Sequence, residues 1–167
     1  MVNIRRWLIH AFMPPWRWRT AFPRAVLDAI EAAVRRSEAT HRGEIRFAIE
    51  NALAPWAALR GKTAHERAIE VFAQSRVWDT EENTGVLIYV LLADRRVEIV
   101  ADRGIAKKVA QSEWDAVARV MQEAFRQGNF RAGALAGIEQ VGAILARHFP
   151  AGQVNPDELP DRPLIVK

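Results

Sequence analysis

The chain has 167 residues, half of them hydrophobic, which bounds it to one compact domain with tails. It contains no Cys, so disulfides and thiolate metal sites are excluded, and this absence does not by itself choose a compartment. The net charge of +4 resides in residues 1–19, which carry Arg5, Arg6, Arg17 and Arg19 and no acid, while the rest balances 20 basic against 20 acidic residues; a nucleic-acid-binding face needs a basic patch on the fold itself and is not expected.

Residues 1–22 form a basic, Trp-rich arm with three of the six Trp. Its longest uncharged run, Trp7 to Trp16, is broken by Pro14-Pro15 and falls short of the roughly 20 residues that span a bilayer. No small-residue cleavage site follows, so it makes a poor secretory signal. Two roles are open to the arm. Trp16-Arg17-Trp18-Arg19 suits an interfacial anchor, with indoles at headgroup depth and Arg on anionic lipid. Alternatively, the arm packs Trp7 and Phe12 onto its own domain or a second subunit. The expected location is cytoplasmic, peripheral at the inner face of the membrane.

Pro23 opens the main domain, residues 23–150, at the first turn of a helix. Val26, Leu27, Ile30, Ala33 and Val34 recur at helical spacing, and Gly43 marks the end of that segment. Glu44–Glu50 alternates, predicting a strand with Ile45, Phe47 and Ile49 on a buried face and Glu44, Arg46, Ala48 and Glu50 on the other. Thr63 and Glu66 have capping-box spacing, which starts a helix running to about Ser75. Gly85–Leu92 is an unbroken apolar strand, Asp94-Arg95 turns the chain, and Val97–Ala101 returns. A short helix over Ile105–Ala110 and one begun by Ser112 come next, the latter lined by Val117, Val120, Met121 and Phe125. The last helix spans Arg131 to His148, with Leu135, Ile138, Val141, Ile144 and Leu145 inward. Its Gly133, Gly137 and Gly142 suggest close packing on the sheet. Residues 151–167, with Pro156, Pro160 and Pro163, are expected to be a mobile tail, dispensable for folding.

A strand, a crossover helix and a strand favour a parallel pair. The fold class is α/β, with helices covering a small mixed β-sheet. That topology brings the starts of the first two strands and the end of the third to one edge. Glu44, Asp79, Glu81, Glu82 and Asp102 should gather there, an all-oxygen set suited to Ca²⁺. The competing account is local: Asp102 caps the helix after it, and Arg76 or Arg103 neutralises its neighbours. Neither a nucleophile motif, nor HExxH, nor a phosphate-binding Gly loop is present. His10, His41, His65 and His148 are scattered, with only His41 close to the edge.

The order and spacing of several segments resemble the TPM domain family, named for thylakoid, Psb32 and MOLO-type proteins. These are Thr40-His41-Arg42-Gly43-Glu44-Ile45, Ala68–Phe72, Asn83-Thr84-Gly85-Val86-Leu87-Ile88, Asp94-Arg95, Val97-Glu98-Ile99, Asp102-Arg103-Gly104, and Phe125, Gly128, Phe130 and Gly133. The resemblance covers about residues 25–150. It is nearest to the bacterial branch of soluble or membrane-associated members, often paired with LemA-type proteins. It implies a three-layer α/β/α sandwich. For function it implies a non-catalytic interaction or assembly module, modulated by a divalent cation such as Ca²⁺, with a metal-dependent acid phosphatase as the alternative. Here Thr84 is inserted before the central strand, and the Gly-x-Gly-like loop after the third strand is reduced to Asp102-Arg103-Gly104-Ile105.

Overall fold

The computed structural model describes residues 3–167. Helix α1 (Ile4–Phe12) and the short α2 (Arg17–Ala21) form the arm. The domain continues as α3 (Arg24–Glu38), β1 (Glu44–Glu50), α4 (Pro55–Leu59), α5 (Ala64–Gln74), β2 (Gly85–Leu91) and β3 (Arg96–Ala101). It ends with α6 (Arg103–Ala106), α7 (Gln111–Arg126), α8 (Phe130–His148) and β4 (Leu164–Val166).

The sheet runs β3-β2-β1-β4. Strands β1 and β2 are parallel, with Glu44 opposite Gly85, and β3 returns antiparallel to β2. The strands' period of two splits the core cleanly. Ile45, Phe47, Ile49, Val86, Ile88, Val90, Val97 and Ile99 face α3, α7 and α8. Ala48, Leu87, Tyr89 and Leu91 face α4 and α5. The result is the expected α/β/α sandwich, with β2 buried along its whole length in the middle. Among the described residues no helix is long and apolar enough to cross a membrane.

Local signals act as expected at α5, where Thr63 and Glu66 form both halves of a capping box. At α7 they do not. The helix begins at Gln111 after Ala110, so Ser112 lies inside it and caps nothing. Trp114 takes the core position, and Val120 is exposed. The α8 glycines do permit close packing, but against helices rather than the sheet. A Cβ at Gly137 would sit 2.3 Å from Met121 Sδ of α7, and one at Gly142 would sit 2.0 Å from Ser37 Oγ of α3.

Two expectations fail. Strand β1 is buried on both faces, Glu44 and Glu50 included, because Arg67 of α5 covers Glu50 and the C-terminal segment covers Glu44. Strand β4 pairs in parallel with β1, Ala48 opposite Leu164. Leu159 and Asp161 are buried, and Arg46 Nη1 donates to the carbonyls of Pro160 (2.6 Å) and Arg162 (2.7 Å). Residues 151–167 thus form a strap on the domain, not a free tail. Three prolines are tolerated because an edge segment needs backbone pairing on one side only.

Candidate functional site

The topology does bring the three predicted segments together. Glu44 N–H donates to Thr84 O (3.1 Å), Asp102 N–H to Gly85 O (2.8 Å) and Gly104 N–H to Asn83 O (3.1 Å). The carboxylates, however, go to separate partners. Asp79 lies 3.7 Å from Arg76 and Glu82 2.7 Å from Arg42. Glu81 is exposed. Asp102 Oδ1 accepts from Arg103 N–H (2.7 Å) as the cap of α6. A turn-forming or capping acid is claimed by the nearest donor before a distant one can compete.

Glu44 instead joins a different set. Among the described residues, the carboxylates whose ligand atoms all lie within 4.8 Å of one another are Glu38, Glu44 and Asp157. Glu38 accepts from Ile45 N–H (2.8 Å) and Glu44 from Leu159 N–H (3.1 Å). Burial raises both acids: Glu38 well above the carboxylate range, and Glu44 to about 7, the N–H bonds only partly offsetting it. Asp161, beside Glu38, is held at 3.0 Å by Arg35 Nε through Oδ2, while its buried Oδ1 has no partner among the described residues. A proton on Glu38 would satisfy that oxygen. The five predicted ligands therefore do not converge on a hard cation. The trio has the right atom type, but it would have to shed protons to take one. The sequence did not point to it, since Asp157 and Asp161 lie in the segment set aside as a tail.

Two further buried constellations have structural roles. On the α5 face, Arg67 Nε and Nη2 fork onto Glu50 (2.9–3.2 Å), and Tyr89 Oη donates to Glu50 Oε2 (2.6 Å). Burial pushes the Tyr89 hydroxyl pKa upward, reinforced by Glu50. Ser37 Oγ lies 3.0 Å from His41 Nε2, a nucleophile–base distance. That His is fully buried, and α8 at Gly142 presses against the Ser hydroxyl. Burial lowers His41 to about 4.

The opposite end of the sheet, at the β2–β3 hairpin, holds what the sequence left open. Asp94 on the turn accepts from Arg6 Nε (2.9 Å) and Nη2 (2.7 Å) and from His10 Nε2 (2.9 Å). Leu53 N–H donates to His10 Nδ1 (2.9 Å), which sets the ring as the Nε2–H tautomer. Burial would raise Asp94, but the bonds from His10 and Arg6 outweigh it and hold the carboxyl at about 2.

These contacts turn α1 inside out. Its polar Arg6 and His10 face the domain, and Ile4, Leu8, Ile9 and Phe12 are exposed, Phe12 by 75%. The arm is therefore docked on its own domain, but not through Phe12. Trp16, Trp56 and Leu59 of the neighbouring segments are exposed as well. Beside α1 lies a groove of about 670 Å³ between the arm, the hairpin and the α7–α8 turn. Arg5, Arg17, Arg95 and Arg96 line it, over Ile9, Met13, Phe125 and Phe130.

Comparison with known proteins bears on the fold and the family. A family model described as the TPM domain matches residues 20–144. No curated protein matches. The BA42 protein of the psychrophilic bacterium Bizionia argentinensis is similar at 34% identity, with a TM-score of 0.75 over 85% of this chain and 93% of that one. The N-terminal domain of a protein from P. gingivalis, at 17% identity, shares the fold with a TM-score of 0.62, covering 75% of this chain and 77% of its own.

Proposed function

This chain belongs to the TPM domain family, and on that premise we propose that it is a non-catalytic interaction module of the bacterial branch, docking peripherally on an anionic membrane surface through its N-terminal arm. The carrying observation is the reversed helix α1. A helix that spends its polar side chains on its own domain and leaves Ile4, Leu8, Ile9 and Phe12 in solvent gains nothing from water on that face. An interface that takes apolar side chains beside guanidinium groups suits it.

The non-catalytic character is supported by where the reactive groups sit. Among the described residues the groove's lining contains no Ser, Thr, Cys or His, and its one acid, Asp94, is tied to Arg6 and His10. Of the Ser37–His41 pair, His41 is fully buried and Ser37 is half-buried with its hydroxyl against Gly142. Against the phosphatase alternative, the expected result is no turnover of an aryl phosphate with or without calcium; calcium-dependent turnover would reinstate it. Modulation by a divalent cation is assigned to Glu38, Glu44 and Asp157. Calcium at that trio should raise the melting temperature more at pH 8 than at pH 6, because it replaces protons. The resemblance to LemA-associated members adds a protein partner as a competing occupant of the arm.

The test is co-sedimentation with vesicles. Binding to phosphatidylcholine vesicles doped with an anionic lipid should exceed binding to phosphatidylcholine alone and weaken with salt. Leu8→Gln with Phe12→Gln should reduce it several-fold while leaving the melting temperature nearly unchanged, since both side chains are exposed. Equal sedimentation with and without anionic lipid, or an unaffected double variant, would refute membrane docking.

A further inference from the structure

Four arginines of the hairpin-end groove lack an acidic partner among the described residues. Arg5 and Arg17 come from the arm, and Arg95 and Arg96 from the hairpin, two elements far apart in sequence. All four are exposed. Their one acidic neighbour in the lining, Asp94, is already saturated by Arg6 and His10. A fifth arginine, Arg126, is paired with Glu123. The groove therefore presents uncompensated positive charge, a field that draws an anion.

The hairpin adds a second, independent feature. Arg95 closes the turn, its N–H donating to Leu92 O (3.1 Å), at φ +53°. That left-handed conformation is taken with less strain by Gly or Asn. An arginine here bears a backbone cost that the turn itself does not require, and it places a guanidinium at the mouth of the groove.

The floor decides among anions. Ile9, Met13, Phe125 and Phe130 are apolar, and the exposed Ile4, Leu8 and Phe12 continue the same apolar surface along α1. Nucleic acid has no use for exposed aliphatic side chains, and the remainder of the chain offers it no net charge. A phosphate carried on an apolar body uses both features. Guanidinium forks match phosphate oxygens bidentately, and four unpaired cations favour a dianionic monoester over a carboxylate or a diester.

We propose that this groove is a headgroup site for a phosphomonoester lipid, with Arg5, Arg17, Arg95 and Arg96 as its wall and the exposed face of α1 as the element lying along the acyl region. The proposal rests on the membrane-docking reading and names the lipid that reading leaves unspecified.

The experiment uses the full chain and three vesicle compositions: phosphatidylcholine alone, phosphatidylcholine with phosphatidylserine, and phosphatidylcholine with phosphatidic acid at matched surface charge. The wild type should bind phosphatidic acid vesicles at least about fivefold more tightly than charge-matched phosphatidylserine vesicles, as expected for bidentate rather than purely Coulombic recognition. Arg95→Gln with Arg96→Gln should abolish that preference and leave residual binding equal on both anionic surfaces. Arg36→Gln with Arg119→Gln removes the same charge from outside the groove and should preserve the preference. A preference that survives the hairpin substitutions overturns the headgroup site while membrane docking stands. Absence of binding to every anionic vesicle overturns both. Competition by glycerol 3-phosphate that is as strong, per phosphate, as that of dispersed phosphatidic acid would make this a site for a soluble phosphate and overturn the lipid assignment. Backbone chemical shifts of the hairpin variant, unchanged outside residues 91–97, exclude misfolding as the cause of a loss.

Discussion

At the end of the sheet where β1 and β2 begin, Glu38 and Glu44 are buried, each accepts a backbone N–H, and the strap of residues 151–167 closes over them. At the other end, past the hairpin, Arg5, Arg17, Arg95 and Arg96 stand in solvent around one saturated Asp. The first end spends its charges on the fold. The second leaves them uncommitted. The chain's net charge by count comes from the arm, and docking places that arm against the hairpin, so the basic character of the sequence becomes a property of one pole. A carboxylate that is protonated or bonded to the backbone has little to offer a ligand other than a cation that displaces its proton, whereas an unpaired guanidinium is free to bind.

The largest predicted effect removes the closure of the acidic end. Deleting residues 151–167 takes away β4, exposes the edge of β1 and uncovers Glu44. Burial of Leu159 alone contributes about 1.5–3 kcal/mol, and the lost strand pairing adds to it. The melting temperature should fall by many degrees, as measured by calorimetry. A change within a degree or two would mean that the strap contributes nothing and that the two ends are equally open.

A smaller effect is expected at the basic end. Asp94→Ala leaves Arg6 and His10 without the acceptor that seats α1, and charged hydrogen bonds of this kind contribute about 1.5–3 kcal/mol. Because the arm is one local unit, the loss should appear as local opening before global unfolding. Hydrogen exchange at the Leu53 amide, which donates to His10 Nδ1, should accelerate, while exchange along β2 stays slow. Equal acceleration in β2 would show that the arm is integral to the core, and the contrast between a docked arm and a packed sheet would fail.

Much of the fold was legible because it is encoded locally. The unbroken run Val86–Leu92 announces a strand buried on both faces, observed as Gly85–Leu91, and Thr63 with Glu66 announces a helix start. The parallel crossover followed from strand, helix, strand. What escaped are contacts that local pattern cannot encode. Arg6 finds Asp94 across 88 positions, and nothing in either segment names the other. Leu164–Val166 is too short to show a period and sits behind three prolines. Glu44 and Glu50 read as solvent-facing residues of an amphipathic strand, because alternation records which residues are polar and not whether a strap, at Glu44, or a helix, at Glu50, covers them. At the carboxylate edge the three segments do meet, but Asp102 accepts from the N–H of its own neighbour, and the strap residue that approaches Glu44 is Asp157.

The smallest effect is also the most specific to the comparison, because the two ends should answer pH with opposite signs. Burial raises Glu44 from 4.5 to about 7 in the folded chain, so the folded state holds its proton more tightly than the unfolded state does. The stability this supplies is complete below about 4.5 and is lost as pH rises through about 7. Asp94 behaves conversely. Its carboxyl is held down from 3.8 to about 2, so its contribution is complete above 3.8 and is lost as pH falls through about 2. Buried His41, lowered from 6.5 to about 4, also favours the fold at higher pH and opposes Glu44 over part of the window. The raw pH profile therefore mixes signs, and the difference between variants removes the distant groups that do not couple to the one substituted. Glu44→Gln keeps an acceptor for Leu159 N–H but has no proton to lose. Relative to wild type, it should gain stability steadily from pH 5 to pH 8, by an amount on the order of 1–3 kcal/mol, since one pKa unit corresponds to about 1.4 kcal/mol. Glu38, raised by the same burial and by the neighbouring Glu44 and Asp161, is coupled to Glu44, so the difference reports the titration of that pair. Urea melts of the two proteins at four or five pH values measure the gap. A gap that does not change with pH would mean that Glu44 is ionised in the folded chain throughout, and that the strap closes over a charge rather than over a proton.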